Sequence, residues 1–302
     1  MEIYDEMDEQ SVNQPNTDKF NEAFSKYNMN VDAAWVKSVI EKAKKEVATG
    51  YDRETLKKIY SCIDLTTLKP TDNEDTVLAF VEKVNRMEDE HPDLPSVASI
   101  CTWPLYAQTV SRSLEVESVK TCCVSGGFPS SQTFFEVKVA ETSLALHDGA
   151  DEIDIVQNAG HVLNGDFETL ADETDELKSL CGDKTLKVIL ETGALESLDN
   201  VKKAALIAMY SGADFIKTST GKEVLGADPE SFCVMCKTIR EYADETGRSV
   251  GVKAAGGIST VEGALLYWTI AKIVLGKEWL NNTRFRIGAS RLADKLLDAI
   301  CN

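Results

Sequence analysis

Eight short runs of apolar and β-branched residues recur from residue 61 onward, separated by longer amphipathic stretches. They are SCIDLTT (61–67), SVASICTW (96–103), KTCCVSGG (120–127), EIDIVQN (152–158), LKVILET (186–192), FIKTST (215–220), VGVKAAGG (250–257) and FRIGAS (285–290). Runs of this length, bounded by glycine or polar residues, read as buried strands, and the segments between them are long enough for crossover helices. One such segment, SSQTFFEVKVAETSLALHDGA, spaces Phe134, Val137, Val139, Ala140 and Leu144 as a buried helical stripe. Glycine followed by Ala or Asp closes several segments, as helix stops do. Eight strand and helix units predict a closed (β/α)8 TIM barrel of the α/β class. A doubly wound sheet more often stops at about five to seven strands. No G-x-G-x-x-G fingerprint follows any strand, and TSTGK fails as a P-loop because Ile216 stands where the first glycine belongs.

Residues 1–31 are polar and acidic without a sustained period and read as a mobile N-terminal tail. Residues 32–302 are expected to form one barrel domain with an N-terminal helical extension, in which Asp32 is the N-cap and Ala34, Val36, Ile40 and Ala43 share a helical register. The whole chain, 302 residues long, suits a single barrel of this kind. Its 32 basic and 50 acidic residues leave a net charge of −18, which repels nucleic acid and anionic membrane but still allows a small anion in a local basic pocket. The eight cysteines lie inside apparent strands and helices, so they read as reduced thiols in a cytoplasmic protein. Cys233 and Cys236 form a lone C-x-x-C on a helical stretch without the partners of a zinc site, and no metal is expected. The acidic opening MEIYDEMDEQ is unlike a signal peptide, and no run approaches roughly 18 apolar residues. A soluble protein follows as the expectation.

Barrels work at the C-terminal ends of their strands, where residues two apart point the same way. Asp64, Cys101, Asp154, Lys187, Glu191, Lys217 and Lys253 all fall within or late in the apolar runs. A lone charge in a strand is ordinarily a surface position or half of a structural ion pair. A barrel strand has no edge, however, and helices cover its outer face, so these residues must converge on the interior or the rim. Gly256 and Gly257 end the seventh run, Gly288 and Ser290 end the eighth, and Lys222 follows Gly221 after the sixth. Adjacent glycine turns leading into helices offer backbone N–H groups to phosphate.

Lys217 lies between Ile216 and Thr218. An ordinary lysine is only about one part in 2,500 neutral at pH 7, so a nucleophilic lysine needs help from its surroundings. Lys253, at the same depth one strand on, can supply a repelling charge, and Asp154, two strands back, can handle a proton. A lysine nucleophile, a second lysine, a carboxylate and a phosphate site describe a Schiff-base aldolase acting on a sugar phosphate.

Across residues 61–298 the motifs IDLTTLKPTD, ASICTWP, GADEIDIVQN, LKVILETGAL, GADFIKTSTGK, VGVKAAGGI and RFRIGAS stand in an order that resembles the deoxyribose-phosphate aldolases, a family of cofactor-free class I aldolases on a (β/α)8 barrel. The resemblance implies that Lys217 forms the imine, Lys253 perturbs it electrostatically, and Asp154 is the acid/base partner with a bound water. It implies that Asp64, Cys101, Thr218 and Lys187 meet the substrate, and that Gly221, Lys222, Gly256, Gly257, Gly288 and Ser290 hold the 5-phosphate region. The implied reaction is reversible cleavage of 2-deoxy-D-ribose 5-phosphate to acetaldehyde and D-glyceraldehyde 3-phosphate, without metal or cofactor. Ser259 stands where the family often has arginine, Ala254 where many members have proline, and Arg291 where a small polar residue is usual. No tyrosine follows Tyr267 to match the C-terminal tyrosine of some members. The partner expected is a small sugar phosphate, with neither nucleic acid nor membrane and with a homodimer as the candidate assembly. Competing readings are another lysine-dependent sugar-phosphate aldolase or thiolase, and a barrel that binds sugar phosphates without catalysis.

Overall fold

The computed structural model describes residues 17–301 apart from residue 224. Three helices come first, α1 (Thr17–Ser25), α2 (Ala33–Ala48) and α3 (Arg53–Tyr60). The repeating part then runs β1 (Ile63–Thr66), α4 (Glu74–Glu90), β2 (Ser99–Thr102), α5 (Ala107–Ser113), β3 (Lys120–Ser125), α6 (Phe135–His147), β4 (Glu152–Val156), α7 (Ala159–Asn164), α8 (Phe167–Cys181) and β5 (Thr185–Ile189). It closes with α9 (Leu198–Tyr210), β6 (Phe215–Lys217), α10 (Pro229–Thr246), β7 (Gly251–Ala255), α11 (Val261–Leu275), β8 (Phe285–Ala289) and α12 (Leu292–Cys301). All eight strands fall within a residue of the eight apolar runs. Each pairs in parallel with the next, and β8 pairs with β1, so the sheet is a closed barrel.

Alternation along the strands sorts the side chains into two worlds. Ile153 and Ile155 of β4 join the main apolar core between barrel and helices, whereas Glu152 and Asp154 bond to side chains of β5 through β8 across the interior. Barrel interiors are ordinarily filled by branched aliphatics. Here the interior is charged, and only Leu68, Cys101, Cys122 and Val124, flanked by Trp103 and Phe128, form a small separate apolar cluster within it.

Two expectations need correction. The stretch read as a mobile tail contributes α1, whose Phe24 ring meets Phe167 of α8 edge-on at 5.4 Å. Nearby, Lys202 Nζ donates to the Asn28 carbonyl at 2.8 Å and Val31 N donates to Asp199 at 2.9 Å. Residues 20–31 are therefore docked on the barrel, and residues 1–16 of the expected tail lie outside the described residues. The second correction concerns α6. Phe134 is 78% exposed and Leu144 65%, while the buried positions are Lys138, Thr142 and Ala145. Lys138 can face inward because its ammonium donates to Ser131 Oγ at 2.9 Å and to Glu173 at 2.8 Å. A paired lysine thus takes the core position that periodicity assigned to apolar residues. In α2, Asp32 caps as expected by accepting from Ala34 N and Trp35 N, and Val36, Ile40 and Ala43 are buried, but Ala34 is exposed.

Candidate active site

Asp154 stands at the centre of the barrel interior. Its Oδ2 accepts from Lys217 Nζ at 2.8 Å and Lys253 Nζ at 2.7 Å, and its Oδ1 accepts from Lys187 Nζ at 2.9 Å and the Cys122 thiol at 3.3 Å. Strand register explains the gathering, because Lys217 and Lys253 are direct partners on β6 and β7 and Asp154 and Lys187 are direct partners on β4 and β5. Beneath them, Lys187 also donates to Glu152 at 2.6 Å, Arg286 Nη2 donates to Glu152 at 2.8 Å, and Asp64 is clasped by Lys253 and Arg286. Sequence reasoning passed over Glu152 and Arg286. The signal was present in the two-residue step back from Asp154 to Glu152 and in the position of Arg286 opposite Lys253.

Burial opposes charge at Asp64, Asp154, Lys187, Lys253 and Arg286, yet the mutual pairing wins. Burial raises the Asp154 carboxyl, but Lys187, Lys217 and Lys253 together hold it well below the ordinary range. Asp64 is likewise held low against burial by Arg286, Lys253 and Lys187. Burial lowers Lys253 and Lys187, but Asp154 with Asp64 at Lys253, and Asp154 with Cys122, Glu152 and Asp64 at Lys187, together outweigh it, so both lysines are raised. They are ammonium ions at neutral pH. Three carboxylates (Asp64, Glu152, Asp154) thus face four cations (Lys187, Lys217, Lys253, Arg286), leaving one positive charge in excess when all are ionised. Loss of a proton from one lysine would balance the cluster.

Above Lys217 opens a cavity of about 280 Å³. Its wall contains all six residues expected at the phosphate end, Gly221, Lys222, Gly256, Gly257, Gly288 and Ser290, together with Lys217 itself. Lys69 and Arg291 add positive charge, and no acidic residue lines it, which is notable in a chain of net charge −18. Ser259 and Arg291, two positions that depart from the family pattern, both belong to this wall. Helix α12 begins immediately beyond Arg291, the last residue of this wall. Gly256, at φ +93°, lies so close to Gly226 that a Cβ would come within 2.8 Å of its Cα. Gly288 leaves room for the Lys253 stem, since a Cβ there would stand 3.2 Å from Lys253 Cε. The Lys222 ammonium donates to the Leu68 carbonyl, 5.7 Å from the centre of the Trp103 ring.

The four residues expected to meet the substrate lie off this wall, as do Asp154 and Lys253. Lys187 and Asp64 are fully buried in the ionic cluster below it, and Cys101 is buried beside Cys122. Thr218 is out of phase with Lys217, and its hydroxyl bonds to the backbone of Ala255 on β7. Thr220, not singled out from the sequence, lines the cavity instead, and its hydroxyl donates to Glu191 at 2.5 Å. Glu191, at φ +52°, is raised by burial against the hydrogen bonds from Thr220. It also borders a second hollow of about 400 Å³ on the opposite side of the mouth. That hollow carries Glu191 and Glu223 without a basic residue, so of the two the first cavity is the one whose charge suits an anion. Two buried triads, Cys101–Cys122–Asp154 and Asp64–Cys122–Glu152, have the spacing of metal ligands, but their carboxylates are already engaged by lysine or arginine.

A closed parallel barrel with a lysine–carboxylate cluster beneath a basic cavity has the build of a lysine-bearing barrel enzyme. The chain belongs to the DeoC/LacD family of aldolases, whose model matches residues 62–273. It is 38% identical to the deoxyribose-phosphate aldolase of Bos taurus and 37% identical to that of Homo sapiens, in each case over 278 residues, covering 89% of this chain and 87% of the relative. Among solved structures, the tetrameric deoxyribose phosphate aldolase of Aeropyrum pernix aligns with a TM-score of 0.64 at 27% identity, covering 84% of this chain and 99% of that one. A chain from Toxoplasma gondii shares the fold with a TM-score of 0.73 at 23% identity, covering 82% of this chain and 94% of that one. No helix of the described residues is long and apolar enough to cross a membrane.

Proposed function

We propose that this protein reversibly cleaves 2-deoxy-D-ribose 5-phosphate to acetaldehyde and D-glyceraldehyde 3-phosphate through an imine on Lys217. One observation carries the assignment. Lys217 is the lysine that both belongs to the buried ionic cluster and lines the basic cavity, whereas Lys187 and Lys253 are sealed below it. A carbonyl carbon entering from the cavity meets Lys217 first.

The arrangement accounts for each step. Lys217 gives up a proton within the cluster, and its amine attacks C1 of the open-chain sugar. Loss of water yields an iminium that withdraws electrons from the C2–C3 bond. Asp154, through a water, takes the proton from the C3 hydroxyl as that bond breaks, and the aldehyde carrying the phosphate departs. Protonation of the remaining enamine at C2 and hydrolysis of the imine release acetaldehyde and restore Lys217. Lys253 remains a cation throughout, held by Asp154 and Asp64, and Lys187 orients the other oxygen of Asp154. Gly221, Lys222, Gly256, Gly257, Gly288 and Ser290 take the phosphate. Asp64, Cys101 and Thr218 support the site from beneath or behind it and do not line the cavity.

A cytoplasmic location fits the eight free cysteines among the described residues. The function is tested by following acetaldehyde release from 2-deoxyribose 5-phosphate with and without a chelator. Release that persists with chelator is the expected result. Cleavage of another sugar phosphate alone, or activity restored only by added zinc, would overturn the assignment.

A further inference from the structure

Cys101 and Cys122 are direct partners on the adjacent parallel strands β2 and β3, and both side chains belong to the small cluster inside the barrel. Neighbouring strands run about 4.8 Å apart, within the roughly 4.4–6.8 Å between Cα atoms that a disulfide spans. The two sulfurs lie within 4.8 Å of one another, and each within the same distance of an Asp154 carboxylate oxygen. Neighbouring Cys123 faces the other way, into the main apolar core, and Cys233 and Cys236 are buried on α10.

The surroundings divide the labour between the two sulfurs. Lys187 Nζ donates to Cys122 Sγ at 3.3 Å, and the Cys122 thiol donates to Asp154 Oδ1 at 3.3 Å. The Cys101 thiol is held below the ordinary thiol range, with neighbouring Cys122 and the Lys253 charge favouring its thiolate against burial. Burial pushes Cys122 the other way. Cys122 has its proton committed to Asp154 and its sulfur engaged by Lys187, so Cys101 is the attacking sulfur and Cys122 the resolving one.

We propose that a hydroperoxide joins Cys101 and Cys122 in a reversible disulfide, and that this oxidation turns down the chemistry at Asp154. The Cys101 thiolate attacks one peroxide oxygen, the O–O bond breaks, and an alcohol, or water from hydrogen peroxide, leaves as the sulfur becomes a sulfenic acid. Cys122 then attacks that sulfur, the S–O bond breaks, and the hydroxyl leaves as water with the Cys122 proton. Two thiols and one peroxide thus give one disulfide, one alcohol and one water, and a dithiol reverses the change. The disulfide removes the S–H donor from Asp154 and draws the Cys122 sulfur away from both Asp154 and Lys187. Both sulfurs are fully buried and neither lines a cavity, so only a small peroxide can be expected to reach them. The effect on activity rests on the aldolase reading, whereas the cross-link does not.

The full chain is exposed to hydrogen peroxide, its remaining thiols are blocked, and peptides are mapped without reduction while acetaldehyde release is assayed in parallel. The expected map joins the Cys101 peptide to Cys122 with loss of two hydrogens. Activity falls about tenfold, the scale of one lost charge-assisted hydrogen bond, and returns with dithiothreitol. Cys122→Ala abolishes the cross-link and the dithiol-reversible loss, and Cys123→Ala keeps both. Should Cys122→Ala fail to fold, fragmentation of the wild-type cross-linked peptide still distinguishes Cys122 from Cys123. A bridge to Cys123, or sulfinic acid at Cys101 without any bridge, would overturn the proposal, and a complete bridge with activity unchanged would overturn the switch. If the reduced protein releases no acetaldehyde, the aldolase reading fails while the map still decides the cross-link.

Discussion

Lys217 and Lys253 donate hydrogen bonds to the same carboxylate oxygen, Asp154 Oδ2, at 2.8 and 2.7 Å. Two ammonium groups sharing one oxygen repel each other, by about 3 kcal/mol at roughly 5 Å and an effective dielectric near 20. That repulsion is relieved when Lys217 loses its proton, while Asp154 and Asp64 keep Lys253 charged.

Lys253→Met retains similar bulk and removes the repelling charge. Asp64 and Asp154 then act on fewer cations, and the cluster holds its remaining protons more tightly. The acidic limb of the pH–rate profile should move upward, with imine trapping recovered at high pH. An unmoved limb would mean that Lys253 does not set the proton affinity at Lys217.

Lys222→Ala removes one cation from a cavity wall that has no acidic residue. A charge-assisted contact to phosphate contributes about 1.5–3 kcal/mol, so kcat/KM for 2-deoxyribose 5-phosphate should fall by roughly 10- to 150-fold. Cleavage of unphosphorylated 2-deoxyribose should hardly change. Equal losses on the two sugars would place Lys222 at the carbonyl end.

The barrel was legible in the sequence because each of its strands is a short apolar run, and the inward lysines were legible because Lys217 and Lys253 sit at matched depth. What escaped was whatever depends on register between strands. Cys122 became part of the site only once β3 was set against β2 and β4, which brings it opposite Cys101 and beside Asp154. Thr218 was expected to touch substrate from the family resemblance, but adjacent residues at the end of a strand diverge, and its hydroxyl serves β7. The face of α6 was misjudged since apolar spacing could not reveal that Ser131 and Glu173 would satisfy a buried Lys138.

Gly256→Ala should injure the phosphate end without disturbing the ionic cluster. The backbone there is at φ +93° and a Cβ would press to 2.8 Å from Gly226 Cα, so the two adjoining loops must shift. Strain of this kind costs about 1–3 kcal/mol. KM for the phosphorylated sugar should rise and thermal stability should drop, while borohydride trapping of unphosphorylated aldehydes persists. An unchanged KM would remove Gly256 from the phosphate site.

Acid should expose the contribution of Asp64. Its carboxyl is held below the ordinary value by Arg286, Lys253 and Lys187 against burial, so as pH falls the unfolded chain takes up a proton there before the folded chain does. The stabilisation is complete above about pH 4, the unfolded value, and is lost as pH falls toward the folded value. Asp64→Asn should lower stability at pH 7 by about 3–5 kcal/mol through the unpaired cations, and should flatten the acid side of the Tm–pH curve. Parallel curves for the two proteins would contradict this.

The most direct measurement is borohydride reduction in the presence of 2-deoxyribose 5-phosphate, followed by peptide mapping. An imine is reduced to a stable secondary amine and an ionic contact is not, so the modification is predicted on Lys217 and on neither Lys187 nor Lys253. Lys217→Met should abolish it at every pH. Modification of Lys253 in the wild-type protein, persisting in Lys217→Met, would contradict the account by exchanging the roles of the two lysines.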